Sequence, residues 1–228
     1  MRLTVKSLSF SFDDQNPIFN QLNLEINPGD YVTIQGISVG KSLLFKILLR
    51  IVEYSEGDIL YDGKLLKRMN NIELTELRKK LGYMPQLSGL FPNLTIYENL
   101  SLPLQYHTRL SSVQISKIVF EYLEKIEQDK YCDKRPDFFS NSQIRMFDFI
   151  RAIILDPEMV FLDEPAEDLS EKDFKFFTDF LIERIKKETA FLITITPTSR
   201  LPFYESRSDY YLSNGSLLQL QNKEGIVY

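Results

Sequence analysis

Tyr31-Val32-Thr33-Ile34-Gln35-Gly36-Ile37-Ser38-Val39-Gly40-Lys41-Ser42-Leu43 is the stretch that decides how this chain is read. Tyr31 to Ile34 has the apolar, β-prone character of a short strand, and from Ser42 to Val52 the residues Leu44, Ile47, Leu48 and Ile51 recur at helical spacing. A strand, a glycine-bearing loop and an amphipathic helix, in that order, are the setting of a phosphate-binding loop. The spacing is irregular. The usual pattern has about four residues between its two glycines, whereas Ile37, Ser38 and Val39 are all that lie between Gly36 and Gly40, so either a residue is missing or Gln35 stands where the first glycine belongs. The chemically active end is kept. Gly36, Ser38 and Gly40 line the loop, and Gly40 opens a helix whose first turn, Leu43 included, offers N–H groups to an anion. Lys41 can reach terminal phosphates, and the Ser42 hydroxyl suits Mg²⁺. An ordinary helix start that spells Gly-Lys-Ser by chance is the bland alternative.

A second signal favours the phosphate reading. Met159-Val160-Phe161-Leu162-Asp163-Glu164-Pro165 is an apolar strand ending in two acids. Asp163 can hold Mg²⁺ through water, and Glu164 can polarise an attacking water. One acidic turn after a buried strand is unremarkable chemistry; two such motifs in this order predict a P-loop nucleotide-binding domain.

Working outward, Leu3–Phe10 and Leu22–Ile26 alternate as two antiparallel strands, and Asn27-Pro28-Gly29-Asp30 is a turn. Ile59–Tyr61 with Asp62-Gly63, Leu81–Met84 ahead of Pro85, Met159–Leu162, Ala190–Thr196, and the pair Tyr210–Leu212 and Leu217–Leu220 around Asn214-Gly215 read as further strands. Helical spacing marks Glu73–Lys80, Lys172–Lys187 and three stretches between Leu87 and Leu155: Ile96–Leu102, Ser116–Glu127 and Gln143–Leu155. The expectation is one α/β domain over 1–228: a P-loop NTPase core with a parallel, RecA-like sheet, an N-terminal antiparallel β-subdomain and a helical insertion over about 87–155.

Composition limits the function. Over 228 residues, 27 Lys+Arg face 32 Asp+Glu, a formal net charge of -5 that argues against a general nucleic-acid binder. Cys132 is the single cysteine, a spectator with no disulfide partner, and no Cys/His cluster is present to hold zinc. That cysteine usage reads as cytosolic; no apolar run approaches the ~18–20 residues of a membrane span, so any membrane role is expected to come through a partner, without direct membrane insertion.

Over essentially its whole length the sequence resembles the ATP-binding subunits of ABC transporters. Phe12, in Ser11-Phe12-Asp13, matches the aromatic that stacks on adenine, and Leu81-Gly82-Tyr83-Met84-Pro85-Gln86 is similar to the glutamine loop, which makes Gln86 the residue that senses Mg²⁺ and the permease. Leu90 to Leu100, Asp163, Glu164 and Arg151-Ala152 are also similar to the family. The signature loop, Leu-Ser-Gly-Gly-Gln in the family, corresponds to Phe139-Ser140-Asn141-Ser142-Gln143. The resemblance implies that Ser140, Ser142 and Gln143 face the nucleotide of an opposite subunit, with Ser142 starting a helix, although both glycines that permit close backbone approach are gone. Ala166-Glu167-Asp168-Leu169-Ser170 displaces the family's closing aspartate, and Pro197 occupies the place of the switch histidine. Proline has no side-chain donor and no N–H. The only histidine, His107, reads as solvated in a loop, but Pro103-Leu104-Gln105-Tyr106-His107-Thr108, with Ser88-Gly89-Leu90-Phe91 before it, resembles the ATPase of Mla/MCE lipid transporters.

The resemblance implies Mg-ATP as cofactor, a second ATP-binding subunit in a homo- or heterodimer, an integral membrane permease, and a peripheral place on the cytoplasmic face of the inner membrane. Lys41, Ser42, Gln86, Asp163 and Glu164 argue for a hydrolysing ATPase. Gln35, Asn141, Ser142 and Pro197 argue for a subunit that binds ATP or docks without hydrolysis. A soluble ABC protein acting on DNA or ribosomes fits less well, for want of a basic extension. Phe91, Tyr97 and Tyr106 look exposed and are expected to meet the permease, the alternative being that they pack inside the helical insertion itself; the helical spacing of Phe174, Phe176, Phe177 and Phe180 points to core packing.

Overall fold

Alternation in the first sixty residues does place two strands side by side. The computed structural model describes residues 1–12, 17–36, 40–196, 199 and 207–220. Within them β1 (Leu3–Ser11) pairs antiparallel with β2 (Pro17–Ile26), Leu3 opposite Ile26. β3 (Tyr31–Gln35) leads toward α1 (Lys41–Leu48), and β4 (Glu56–Tyr61) returns against the other edge of β1 and turns into β5 (Lys64–Leu65). α2 (Asn71–Lys79) precedes β6 (Leu81–Met84). Then come α3 (Ile96–His107), α4 (Ser112–Lys125) and α5 (Asn141–Ile153), followed by β7 (Met159–Asp163), α6 (Glu171–Lys186), β8 (Ala190–Ile195) and the hairpin of β9 (Arg207–Ser213) and β10 (Ser216–Gln219).

The strands form two sheets. β2-β1-β4-β5 is antiparallel; β10-β9-β3-β8-β7-β6 is parallel except for β10. Consecutive side chains of a strand point to opposite faces, and β7 uses this to feed two cores. Met159 and Phe161 pack with α1 and the antiparallel sheet, while Val160 and Leu162 pack with α5, α6 and the helices that precede them. A strand covered on both faces must be apolar throughout, which is why β7 reads as a continuous run. Phe177 is buried and meets Phe149 edge to face, so the phenylalanines of α6 do serve packing.

Several helix limits differ from the periodicity. α1 stops at Leu48: Arg50 adopts φ 50°, the N–H groups of Ile51 and Val52 turn back to the Lys46 carbonyl, and Arg78 of α2 donates to the carbonyls of Leu49 and Arg50. Ile51 is consequently exposed, not on the buried face its spacing suggests. α3 runs through Pro103 to His107, so His107 ends a helix and does not lie in a loop; its Nδ1 is buried without a partner. A Thr95/Glu98 capping box starts this helix. Leu100 and Leu104 are buried one turn apart, at the spacing of one helix face, and bury it. Asn99 pins the preceding loop: its amide accepts from Phe91 N–H at 2.7 Å and donates to the carbonyls of Phe91, Leu94 and Thr95 at 3.0–3.2 Å. Phe91 and Tyr106 are exposed as expected, but Tyr97 is half-buried against Phe120.

Candidate functional site

The site collects at the C-terminal ends of β3, β6, β7 and β8, where a parallel sheet leaves its crevice. Gly36 leaves β3 at φ 151°, and a Cβ there would stand 2.9 Å from the Leu212 carbonyl. At Gly40 a Cβ would meet Phe19, Leu212 and Ile18 at 3.0–3.3 Å, so both positions need glycine for close packing. Ser38, with Ile37 and Val39, lies outside the described residues. Gly40 is the N-cap of α1 and brings no side chain to cap it, so among the described residues the first-turn N–H groups of Ser42 and Leu43 keep their anion-binding capacity.

Lys41 does not point to solvent. It is 9% exposed, and its Nζ donates to Glu164 Oε1 and to the Ile195 carbonyl, both at 2.7 Å. Glu164, 4% exposed, accepts at Oε2 from Thr196 N–H at 2.9 Å and from Ser199 Oγ at 3.1 Å. Its backbone is left-handed, φ 49°, an uncommon state for a residue with a Cβ. Asp163 beside it accepts from Thr194 Oγ1 at Oδ1, while Oδ2 is buried with no partner. A buried carboxylate oxygen without a donor is costly unless something charged reaches it. Burial, and after it the charge of Asp163, pushes the Tyr83 phenol up to about 12. Among the described residues no group of three or more His, Cys, Asp or Glu is gathered to hold a metal. Mg²⁺ needs no such group, because it is bound by one or two protein oxygens with phosphates and water. The orphaned Asp163 oxygen and the half-buried Ser42 hydroxyl are donors of that kind.

Gln86 is exposed just beyond β6, and its carbonyl rather than its amide is bonded. Phe12 is 74% exposed, with Phe10 edge-on at 5.2 Å. The signature-like loop differs from expectation. Ser140, not Ser142, caps α5, in a capping box closed by Gln143, whose amide also donates to Gln128 Oε1 at 3.1 Å. The Ser142 hydroxyl donates to Asp173 and accepts from Ser170 N–H at 2.8 Å, tying the start of α5 to the start of α6. Pro197 lies outside the described residues; Ser199 just after it reaches Glu164. Cys132 is half-buried, and burial raises its thiol pKa, in keeping with a spectator. Arg145 is a buried cation that the sequence reading missed: it donates to the carbonyls of Pro85, Gln86, Asp163 and Glu164.

Residues 19–167 match the ABC transporter family. The chain belongs to that family. Its fold agrees: a dimeric ATP-binding cassette in a post-hydrolysis state, bound to ADP and Pi, superposes with a TM-score of 0.84 at 23% identity, covering 98% of this chain and 100% of that one. Among curated ABC relatives, the intermembrane phospholipid transport system ATP-binding protein MlaF of Haemophilus influenzae is 34% identical over 164 residues, 72% of this chain and 62% of that protein. The phosphonates import ATP-binding protein PhnC 2 of Oceanobacillus iheyensis is 32% identical over 194 residues, 82% and 76% of the two chains. The chain thus spans less than two thirds of the length of the MlaF relative. No helix among the described residues is long and apolar enough to cross a membrane.

Proposed function

We propose that this chain is the ATP-binding subunit of a lipid transporter of the Mla/MCE type, a single cassette over 1–228. The observation that carries nucleotide binding is the pairing of an uncapped α1 N-terminus with a partnerless Asp163 oxygen. The α1 N–H groups hold the phosphates, Lys41 leaves Glu164 to meet them, Phe12 offers a face to adenine, and Ser42, Asp163 and Gln86 hold Mg²⁺. Bound Mg²⁺ would neutralise phosphate charge. Glu164, released from Lys41 but still held by Thr196 N–H and Ser199, is then free to take a proton from water. Mg-ATP calorimetry beside a melting curve tests this; no response at millimolar Mg-ATP, with wild type equal to Lys41→Ala, refutes it.

The lipid assignment rests on the Mla-like stretch ending at Thr108 and on the phospholipid relative; the relative named for phosphonates import marks a competing cargo. The segment Leu87–Thr108 is the docking surface for a membrane permease at the cytoplasmic face of the inner membrane. A charge at Phe91, 51% exposed, or at Tyr106, 80% exposed, is expected to release the permease and leave the fold and Mg-ATP binding intact. Retained co-purification by well-folded variants would reject the docking assignment.

A second reading is favoured by Ser142. Its hydroxyl is committed within its own chain, so a partner's nucleotide would meet a closed loop. On that reading the chain binds ATP or docks, and an intact ATPase paired with it hydrolyses. Slow turnover of the isolated protein, abolished in Glu164→Gln, supports the first reading; none at all supports the second.

A further inference from the structure

α5 runs beneath the ends of two neighbouring parallel strands, β6 and β7. Arg145 is 6% exposed there, and the four N–H groups of its two terminal nitrogens each meet a different carbonyl. Nη1 donates to Pro85 and Gln86, both at 2.9 Å, and Nη2 to Asp163 at 3.1 Å and Glu164 at 2.9 Å. The same helix face continues at Asp148 and Arg151. Asp148 Oδ1 accepts from Gly89 N–H at 3.1 Å, and Arg151 lies so close to Gly89 that a Cβ would come within 2.4 Å of its Nη2. The segment Pro85–Gly89 therefore hangs from α5.

Burying a guanidinium to serve neutral carbonyls is an expensive way to join two strand ends. What it provides is a planar fork with fixed geometry, which a flexible ammonium lacks. One tine holds the exposed Gln86 segment, and the other holds the backbone of Glu164 in its left-handed conformation. A rigid element spanning both cannot follow one without moving the other.

We infer that Arg145 is a positioning residue that couples the Gln86 segment to the backbone of Asp163 and Glu164. The inference rests on reading the site as a nucleotide site. It is tested in a Cys132→Ser background with Leu87→Cys carrying an environment-sensitive bimane; Leu87 is fully exposed enough, at 83%, to tolerate the label. Mg-ATP is titrated by emission and, separately, by calorimetry. The parent's emission changes as Mg-ATP binds. In Arg145→Ala and Arg145→Lys, calorimetric affinity stays within about threefold while the emission change shrinks roughly fivefold or more, since coupling residues act on communication more than on binding itself. A full emission change in either folded variant overturns the proposal. So does a parent that binds Mg-ATP by calorimetry without any change at Leu87, or loss of the folded state in both variants, which would assign Arg145 to the fold alone. A parent that binds no Mg-ATP at all rejects the nucleotide reading, and the coupling falls with it.

Discussion

The strand-to-helix turn at α1 and the start of α5 treat their polar groups in different ways. Around α1 and β7 the structure keeps capacity in hand: an uncapped helix start, and an Asp163 oxygen without a donor. At the start of α5 the polar side chains are spent. Ser140 and Gln143 cap one another, and Ser142 is tied to Asp173 and Ser170. A polar group left unsatisfied can take a ligand without first breaking a contact, whereas one satisfied internally, as Ser142 and Lys41 are, must give a contact up first. On the proposed reading a nucleotide meets open groups at the start of α1, whereas a partner's nucleotide would have to displace the contacts of Ser142.

The largest effect expected from breaking this contrast is at Lys41. Lys41→Ala leaves Glu164 buried without its cation, which should cost about 3 kcal/mol, or roughly 6–12 °C in melting temperature for a domain of this size. The same variant should lose its Mg-ATP response. Next is Asp163→Asn, where a charge-assisted interaction of about 1.5–3 kcal/mol is lost. Nucleotide affinity measured with Mg²⁺ should fall about tenfold or more, while affinity with a chelator present stays the same.

Ser142→Gly should act on the tie between α5 and α6 alone. Loss of its two hydrogen bonds, one of them to a carboxylate, is worth about 2 kcal/mol, or roughly 4–8 °C, with calorimetric Mg-ATP affinity unchanged. A fall in affinity would show that the loop serves this chain's own nucleotide and would erase the contrast. The smallest effect concerns Asp148, further along α5, whose carboxyl burial holds above the ordinary range. Such an acid ionises first in the unfolded chain, so stability declines as pH rises from the ordinary carboxylate range through the raised folded value. Asp148→Asn should flatten the pH–stability profile there, read by denaturant titration at a series of pH values.

The motifs at Gly40-Lys41-Ser42 and Asp163-Glu164 were legible because each depends on a local pattern: a switch from strand to helix spacing, or an apolar run ending in acids. The family, the parallel sheet and the helices between β6 and β7 followed from them. Arg145 was not legible, since a charge on an amphipathic helix reads as solvated, and its carbonyl partners lie 18 to 60 residues away. Ser142 read as a defect in a glycine loop for the same reason: Asp173 is 31 residues on, with no pattern linking them. Asn99 and the continuation of α3 through Pro103 were hidden because buried packing outweighed the local breaker. Ile51 misled in the other direction, extending a helix that Arg78 closes from outside.

The place of β3 has a consequence for how the molecule is made. It lies between β8 and β9, and its pairing partners begin with Phe191 and Arg207. On a ribosome adding about 5–20 residues per second, the 160 residues from Gln35 to Ile195 take roughly 8–32 s, and until then neither edge of β3 has a native partner. Lys41 likewise meets Glu164 and Ile195 only after a further 123 and 154 residues have been added. A long wait by an apolar strand before its non-local partners emerge is the circumstance that invites misassembly, and the antiparallel pair of β1 and β2, complete by Ile26 and sharing a core with Val32 and Ile34, is made before β3 and is available to shelter it.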